Sequence, residues 1–556
     1  MDGRKNNTLP EGYYLNNFNT LLNFVEKRYQ DLLTPEEITF KSHFHQLSEN
    51  AQRLYVRIIM RKGPYLREDK LSYPEINIPE GLHELHYEKF ININPTGDLI
   101  AALNTLIKNE LIQVIQEVFR LDNIKGIANL KKDELLHFIV EQEETEAIWQ
   151  VIDRYHTLLE PCYYDKVLLF RLLFFGNLEQ DFHEFILEDL GILRYEPYPI
   201  RKEDRFFHHR AVIDYSFLGI QAKTALYLAE KDKSLEEMLF IGEYLQEHTP
   251  PPSLQKKWEK CFEQIAYLAE RMKALDVALH YYKLCSSYYS RERTVRVLDK
   301  MEAYQEALLM AEQMLKFPTH EEEEAFAQKF LNKLKKKMAL PYTAIPRETF
   351  STDQWKLQRQ MDLSIEELTL EAYQAKGMNG FYSENLIWSG LFGLLFWDII
   401  FAPIPGVFFN PFQRGPADLF QRDFYTQRAS LIKQRLKEIQ HTDKLSADLQ
   451  SLWNEKYNTA NYLVSWKKIT LKQLQQVVEV IPRKHLIAIL ERMGKNLRSL
   501  RSGFPDLILF GPEPTSYMLV EVKGPGDQLR PNQKAWLRFF EQEGIPCRVA
   551  KVQFES

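Results

Sequence analysis

Residues 503–537 read GFPDLILFGPEPTSYMLVEVKGPGDQLRPNQKAWL. Two apolar runs, PDLILF (505–510) and YMLVEVKG (517–524), flank GPEPTS (511–516), a segment rich in Gly and Pro that reads as a turn. The spacing predicts an antiparallel hairpin. With six turn residues Phe510 faces Tyr517, and counting back along both strands sets Asp506 opposite Glu521. Like charges directly opposed across a sheet cost a few tenths of a kcal/mol to about 1 kcal/mol. A sequence shaped only for folding avoids that cost, and a bound divalent cation removes it. Glu521 and Lys523 are two apart on one strand and so share a face. Two carboxylates and an ammonium around one point suit Mg²⁺ or Mn²⁺ together with a phosphate. The alternative reading is a solvated Glu–Lys strand face.

Outward from the hairpin, Pro531–Glu543 reads as a helix stopped by Gly544, and CRVAKV (547–552) as a last strand. Upstream, Phe381–Phe401 reads as a helix with one strongly apolar face, and 427–440 and 470–498 as helical. Helices, then strand–turn–strand–loop–helix–strand, is an α/β arrangement. The most apolar stretch, Leu386–Phe409, is broken by Asp398, Pro403 and Pro405. It is expected in a core, because a membrane span needs about 20 uninterrupted apolar residues.

The 556 residues exceed one core and predict several domains. The four cysteines form no CxxC pair, so neither a zinc site nor a disulfide framework is expected, and a reducing cytosol fits. The N-terminal MDGRKNNTLPEGYY lacks the basic-then-apolar pattern of a signal peptide. The net charge is −6, but residues 421–556 hold 22 Lys+Arg against 14 Asp+Glu, a net of +8 that leaves −14 for residues 1–420. Such a split lets one end hold a polyanion.

Residues 1–95 are expected to form an N-terminal domain with no readable function. In 96–160, LIKNELIQVIQEVFRL, DNIKGIAN and LKKDELLHFIV give a helix, a Gly-containing loop and a second helix. This resembles a SAP module, a small DNA-binding helix pair, on Leu130, Lys131, Glu134 and Leu135; an ordinary amphipathic pair is the alternative. Residues 161–375 read as nearly continuous helix, interrupted by His248–Ser253, whose three prolines make a connector. Ala274-Leu275-x-x-Ala278-Leu279 recurs 29 residues later as Ala303-Tyr304-x-x-Ala307-Leu308. The repeat resembles a tetratricopeptide-type solenoid, with a generic helical bundle as the alternative. Glu321–Glu324 and Lys335–Lys337 fit the two ends of a helix dipole, and 341–346 reads as a linker.

Pro505-Asp506 followed by Glu521-Val522-Lys523 is the PD-(D/E)xK nuclease pattern. The whole 503–537 stretch resembles the VRR-NUC domain, here placed at 376–556. The upstream FYSENLIWSGLFGLLFWDIIF resembles the Fanconi-associated nuclease family, in a compact bacterial-type form. The resemblance implies that Glu384 on the leading helix and the Val522 carbonyl join Asp506 and Glu521 as metal ligands, with Lys523 catalytic. It also matches Gln533 to a glutamine recurring in this nuclease group. It implies a structure-selective DNA endonuclease cutting near 5′ flaps of branched DNA, with 5′-to-3′ exonuclease activity, in interstrand-crosslink repair. The expected setting is a monomer on flapped or branched DNA in a bacterial cytosol or nucleoid, or a nucleus if the source is eukaryotic, with no membrane partner. A dimeric four-way-junction resolvase and a non-catalytic repair scaffold are the alternatives.

The basic residues Lys467, Lys468, Lys472, Arg483, Lys484, Arg492, Lys495, Arg498 and Arg501 precede the hairpin and are expected to track a DNA backbone. His208, His209 and Arg210 with Arg201, Lys202 and Arg205 form a second basic cluster, read as a phosphate contact or a solvated loop. Asp398 and Glu491 are expected to be structural or solvated, and His43 and His45 lack partners at metal spacing.

Overall fold

The computed structural model describes residues 9–120, 126–142, 144–319, 321–343 and 348–555. The first eight residues of the leader reading, residues 121–125 of the expected Gly-containing loop, and 344–346 of the expected linker lie outside the described residues. The chain divides into two compact units, Met1–Ile192 and Leu193–Ser556.

The first unit is helical around a three-stranded antiparallel sheet. Leu158–Pro161 lies between Leu66–Arg67 and Ile91–Ile93. Strands from residues 1–95 and from residues 96–161 thus share one sheet. The helix pair appears as Lys108–Phe119 and Lys132–Glu141. Glu134 caps the second helix, its Oε2 accepting from the Lys131 N–H at 2.6 Å, while Leu135 is fully buried.

The second unit opens with helical hairpins. Arg210–Lys231 packs on Leu235–Gln246, Gln255–Arg271 on Leu275–Lys283, and Tyr288–Lys300 on Tyr304–Lys316. Each hairpin turns through one residue at positive φ: Lys233 (56°), Lys273 (64°) and Glu302 (61°). The following N–H then returns five residues back, Ser234 to Ala229, Ala274 to Ala269 and Ala303 to Leu298, each at 2.9 Å. Ala278 and Ala307 are fully buried, as the repeat requires. A third hairpin precedes the two read from the sequence. The prolines before residue 253 lengthen its spacing and hide it.

The remaining chain builds a mixed five-stranded sheet. Its elements are β1 (Thr352–Leu357), α1 (Ile365–Gln374), β2 (Asn379–Tyr382), α2 (Leu386–Leu395), β3 (Leu507–Phe510), β4 (Tyr517–Lys523), α3 (Pro531–Glu543) and β5 (Cys547–Phe554). The strand order is β1-β5-β4-β3-β2. Phe510 pairs with Tyr517 and Leu507 with Val520, the register the six-residue turn dictates. β5 runs parallel to both β4 and β1.

β1 of this sheet, and α1 packed on it, precede residue 376. One expectation is corrected here. The expected helix Phe381–Phe401 begins only at Leu386, because Asn379–Tyr382 pairs antiparallel with β3. Gly380 permits the pairing: a Cβ there would meet the Ile508 carbonyl oxygen at 2.3 Å.

The sheet's two faces bury different residues. Leu507, Leu509, Val520 and Val522 cluster with Tyr373 of α1. Ile508, Phe510, Tyr517 and Leu519 join a larger core containing Trp388 of α2 and Trp536 of α3. The apolar stretch from Leu386 is therefore interior, and among the described residues no helix is long and apolar enough to cross a membrane.

Candidate active site

Strand alternation decides where the acids go. Glu521 and Lys523 share the face of Leu519, and Asp506 precedes β3 in phase with Ile508 on that same face. Asp506 sits where β2 and β3 enter the sheet. Its carbonyl oxygen accepts from the N–H groups of Ser383 (2.8 Å) and Glu384 (3.2 Å). Its Oδ2 accepts from the Val522 N–H at 2.8 Å. Backbone from two other segments thus fixes both ends of this residue.

Glu521 is 1% exposed. Its Oε1 accepts from Lys523 Nζ at 2.8 Å and from Gln533 Nε2 at 2.6 Å. Gln533 is held in turn, its Oε1 accepting from the Arg530 N–H (2.9 Å) at the start of α3. Glu521 Oε2 is buried without a hydrogen-bond partner. An orphaned carboxylate oxygen costs about 1–3 kcal/mol or more and points to a ligand that satisfies it. A hard cation suits this donor set.

Burial pushes Asp506 up to about 6, and burial together with the Asp506 charge pushes Glu521 up to about 8. Both acids hold protons more tightly folded than unfolded, where carboxylates titrate near pH 4. Their contribution to stability is present below about pH 4 and is lost as pH rises through 6 and 8. Metal-free parent and Glu521→Gln should therefore differ little at pH 5. By pH 9 the variant should gain on the order of 2 kcal/mol in urea denaturation with chelator. A gap that stays flat from pH 5 to 9 would refute this account.

Glu384 lines a cleft of about 90 Å³ with Asn385, Gly503, Asp506, Arg530 and Gln533. It is not in the first helical turn as expected. It stands in the β2–α2 turn at φ 37°, its carboxylate accepting from Tyr382 Oη (3.0 Å) and Asn385 Nδ2 (3.2 Å). Among the described residues no three His, Cys, Asp or Glu side chains converge as a ready-made metal cage. The structure brings Asp506, Glu521 and Lys523 together and leaves Glu384 at the rim.

Behind the cleft, Phe504 stacks between Trp388 (5.5 Å) and Trp536 (4.1 Å). Gly503 (φ 88°) lies so close to α3 that a Cβ would meet Asn532 Nδ2 at 2.8 Å and the Asn532 backbone carbon at 3.0 Å. Gly503→Ala should cost about 2 kcal/mol in chemical denaturation, combining positive φ with a backbone clash. A cost under about 0.5 kcal/mol would show that the loop yields freely.

Lys467, Lys468, Lys472, Lys484 and Arg498 are exposed, as a backbone track needs. Arg483 instead donates to the Val478 carbonyl, Lys495 pairs with Glu491, and Arg492 lies over the Trp536 and Phe539 rings. Arg501 lies over Phe420. The second basic cluster is not an open surface throughout, since Arg205 is buried and Arg210 pairs with Asp214. Asp398 is structural, paired with Arg435 at 2.9 Å. Tyr382 and Asn385, which hold Glu384, carried no signal beyond their adjacency to it.

A buried Glu521 with a partly buried Asp506 and a lysine, on the central strands of a mixed sheet flanked by helices, defines a nuclease-type hydrolytic domain. Residues 440–554 match the family model described as VRR-NUC domain, and residues 12–92 that described as FAN1, HTH domain. The Fanconi-associated nuclease 1 homolog of Pseudomonas aeruginosa is 33% identical over 98% of this chain and 97% of its own length. The human Fanconi-associated nuclease 1 is 24% identical over 97% of this chain, which spans 62% of that protein. A crystal structure of paFAN1 bound to 2nt 5′ flap DNA with gap superposes with a TM-score of 0.89. It is 33% identical, and the match covers 99% of this chain and all of that one. The chain belongs to the Fanconi-associated nuclease family, and is a nuclease of the kind that uses divalent metal ions.

Proposed function

We propose that this chain is a structure-specific endonuclease that cuts branched DNA near 5′ flaps, with 5′-to-3′ exonuclease activity, in interstrand-crosslink repair. The observation that carries the chemistry is the buried, unpartnered Glu521 Oε2 facing Asp506 beside Lys523. The relative crystallised on 5′ flap DNA supports the substrate class.

Asp506, Glu521 and the Val522 carbonyl are the proposed ligands of Mg²⁺ or Mn²⁺, with Glu384 completing the set from the rim. A cation held by these groups would supply Lewis-acid polarisation of the scissile phosphate and would acidify a water. The rest is done by the chain. The Val522 N–H fixes the direction of Asp506. Gln533 and Lys523 occupy one oxygen of Glu521 and leave the other free. The Lys523 ammonium lies where negative charge builds on the phosphate and orients the attacking water. Phosphate contacts by the exposed basic residues position the duplex without reading sequence.

The Lys108–Glu141 helix pair is read as a SAP-like DNA contact and the helical hairpins as a tetratricopeptide-like arm that holds the branch. In domain terms the notional units are an N-terminal domain, the SAP-like pair, the helical arm and the nuclease layer. The site of action is wherever the DNA lies, a bacterial nucleoid or a eukaryotic nucleus.

End-labelled 5′-flap, splayed-arm and four-way-junction DNAs, with Mg²⁺, Mn²⁺ or chelator, test the proposal. Cleavage near the 5′ flap that chelator stops is expected. Symmetric junction cutting by a dimer, or no cutting with either ion, would overturn it.

A further inference from the structure

The cleft beside Asp506 is lined by two carboxylates, Glu384 and Asp506, and by Arg530 and Gln533 from the start of α3. Arg530 is the one cationic side chain among its lining residues, and neither Glu521 nor Lys523 lines it. The root of Arg530 is fixed. Its N–H donates to Gln533 Oε1 at 2.9 Å, and Gln533 Nε2 donates to Glu521 at 2.6 Å. Pro531 follows, and a residue before proline is held extended, here at φ −73° and ψ 158°. One hydrogen-bonded relay thus ties the backbone of Arg530 to the strand that carries Glu521 and Lys523.

The tip of the side chain is not fixed. Arg530 is exposed, and its guanidinium makes no hydrogen bond or ion pair with any described residue. Its charged neighbours have partners of their own. Glu384 accepts from Tyr382 and Asn385, Asp506 accepts from the Val522 N–H, and Lys523 donates to Glu521. A guanidinium carries five N–H donors in a planar fork that fits the oxygens of a carboxylate or phosphate two at a time. Arg530 shares a cleft with two carboxylates and pairs with neither, so its fork stays open to an anion from outside. A DNA strand supplies one such anion per nucleotide. Because neither Glu521 nor Lys523 lines this cleft, a phosphate in it is a neighbour of the one under attack.

We propose that Arg530 grips a backbone phosphate next to the scissile one, a substrate-binding contact that seats the cut strand beside Asp506. The inference rests on the flap-nuclease reading of Asp506, Glu521 and Lys523. A charge-assisted contact of this kind typically changes binding on the order of 10- to 100-fold.

The test is single-turnover cleavage of a 5′-flap DNA by the full chain with MgCl₂ or MnCl₂, at enzyme concentrations spanning half-saturation. Parent, Arg530→Met and Arg530→Lys are compared on plain DNA. They are compared again on DNAs with one neutral methylphosphonate placed at each phosphate flanking the cut in turn. Arg530→Met should need on the order of tenfold more enzyme for half-saturation. It should melt with the parent, because the side chain it shortens is exposed and unpaired. One methylphosphonate position should cost the parent a similar factor and cost Arg530→Met nothing further. Penalties at the other positions should be the same in both proteins. Arg530→Lys should keep part of the contact, as a point charge without the fork. Parent-like half-saturation in Arg530→Met would overturn the proposal. So would penalties that add in full at every position, or a loss that follows a lowered melting temperature. A parent chain that cuts no flap DNA would overturn the flap-nuclease reading and this inference with it.

Discussion

Replacing Asp506 with alanine should lower single-turnover cleavage of a 5′-flap substrate by on the order of 10⁴-fold and leave DNA affinity within about threefold of the parent. The separation follows from the geometry. The Asp506 carboxylate faces Glu521 and Val522, whereas the exposed basic residues from Lys467 to Arg498 lie on other segments. The turn that carries Glu384 should survive, because Ser383 and Glu384 bind the backbone carbonyl of residue 506, which alanine keeps. Two energies oppose each other in the metal-free fold. The Val522 N–H loses its acceptor, at about 1–3 kcal/mol, and Glu521 loses a repulsive neighbour. Stability should therefore change little. Cleavage within tenfold of the parent would remove Asp506 from the chemistry, and a matching loss of DNA binding would make its role one of contact.

Lys523→Met should slow the same step by about 10²- to 10³-fold, the usual cost of removing one aimed cationic or hydrogen-bond donor. The substitution keeps the aliphatic stem of a side chain that is only 13% exposed. It removes the ammonium that donates to Glu521 Oε1 at 2.8 Å and that lowers the proton affinity of this acid. Glu521 should then ionise at higher pH, so the alkaline side of the pH–rate profile should recover part of the loss. Measuring rates from pH 6 to 9 separates the two effects. A rate within threefold of the parent across that range would leave Lys523 a structural counter-ion.

The hairpin was legible because a two-residue period joined to a fixed turn length leaves one register, and Asp506, Glu521 and Lys523 followed from it. The helical hairpins were legible wherever buried alanines repeat at constant spacing, and the hairpin at Arg210–Gln246 was missed where prolines changed that spacing. β1 was missed for another reason. Its residues are only partly buried, and its parallel partner lies almost two hundred residues away in sequence, so nothing local marks TDQWKL as a strand. Phe381 and Tyr382 were read into the following helix because the aromatic run has no break until the chain is folded. Only the pairing with β3 separates Asn379–Tyr382 from α2 and turns Glu384 out of the helix.

The position of β5 has a consequence for how the protein comes to life. Residues 547–554 are made after β1 and β4, yet they are the slat between them, and Glu521, Val522 and Lys523 pair with Val549, Ala550 and Lys551. Until they are made, β4 has a bare flank and β1 has no strand beside it. The order of synthesis thus leaves an interior place in the five-stranded sheet to be filled last.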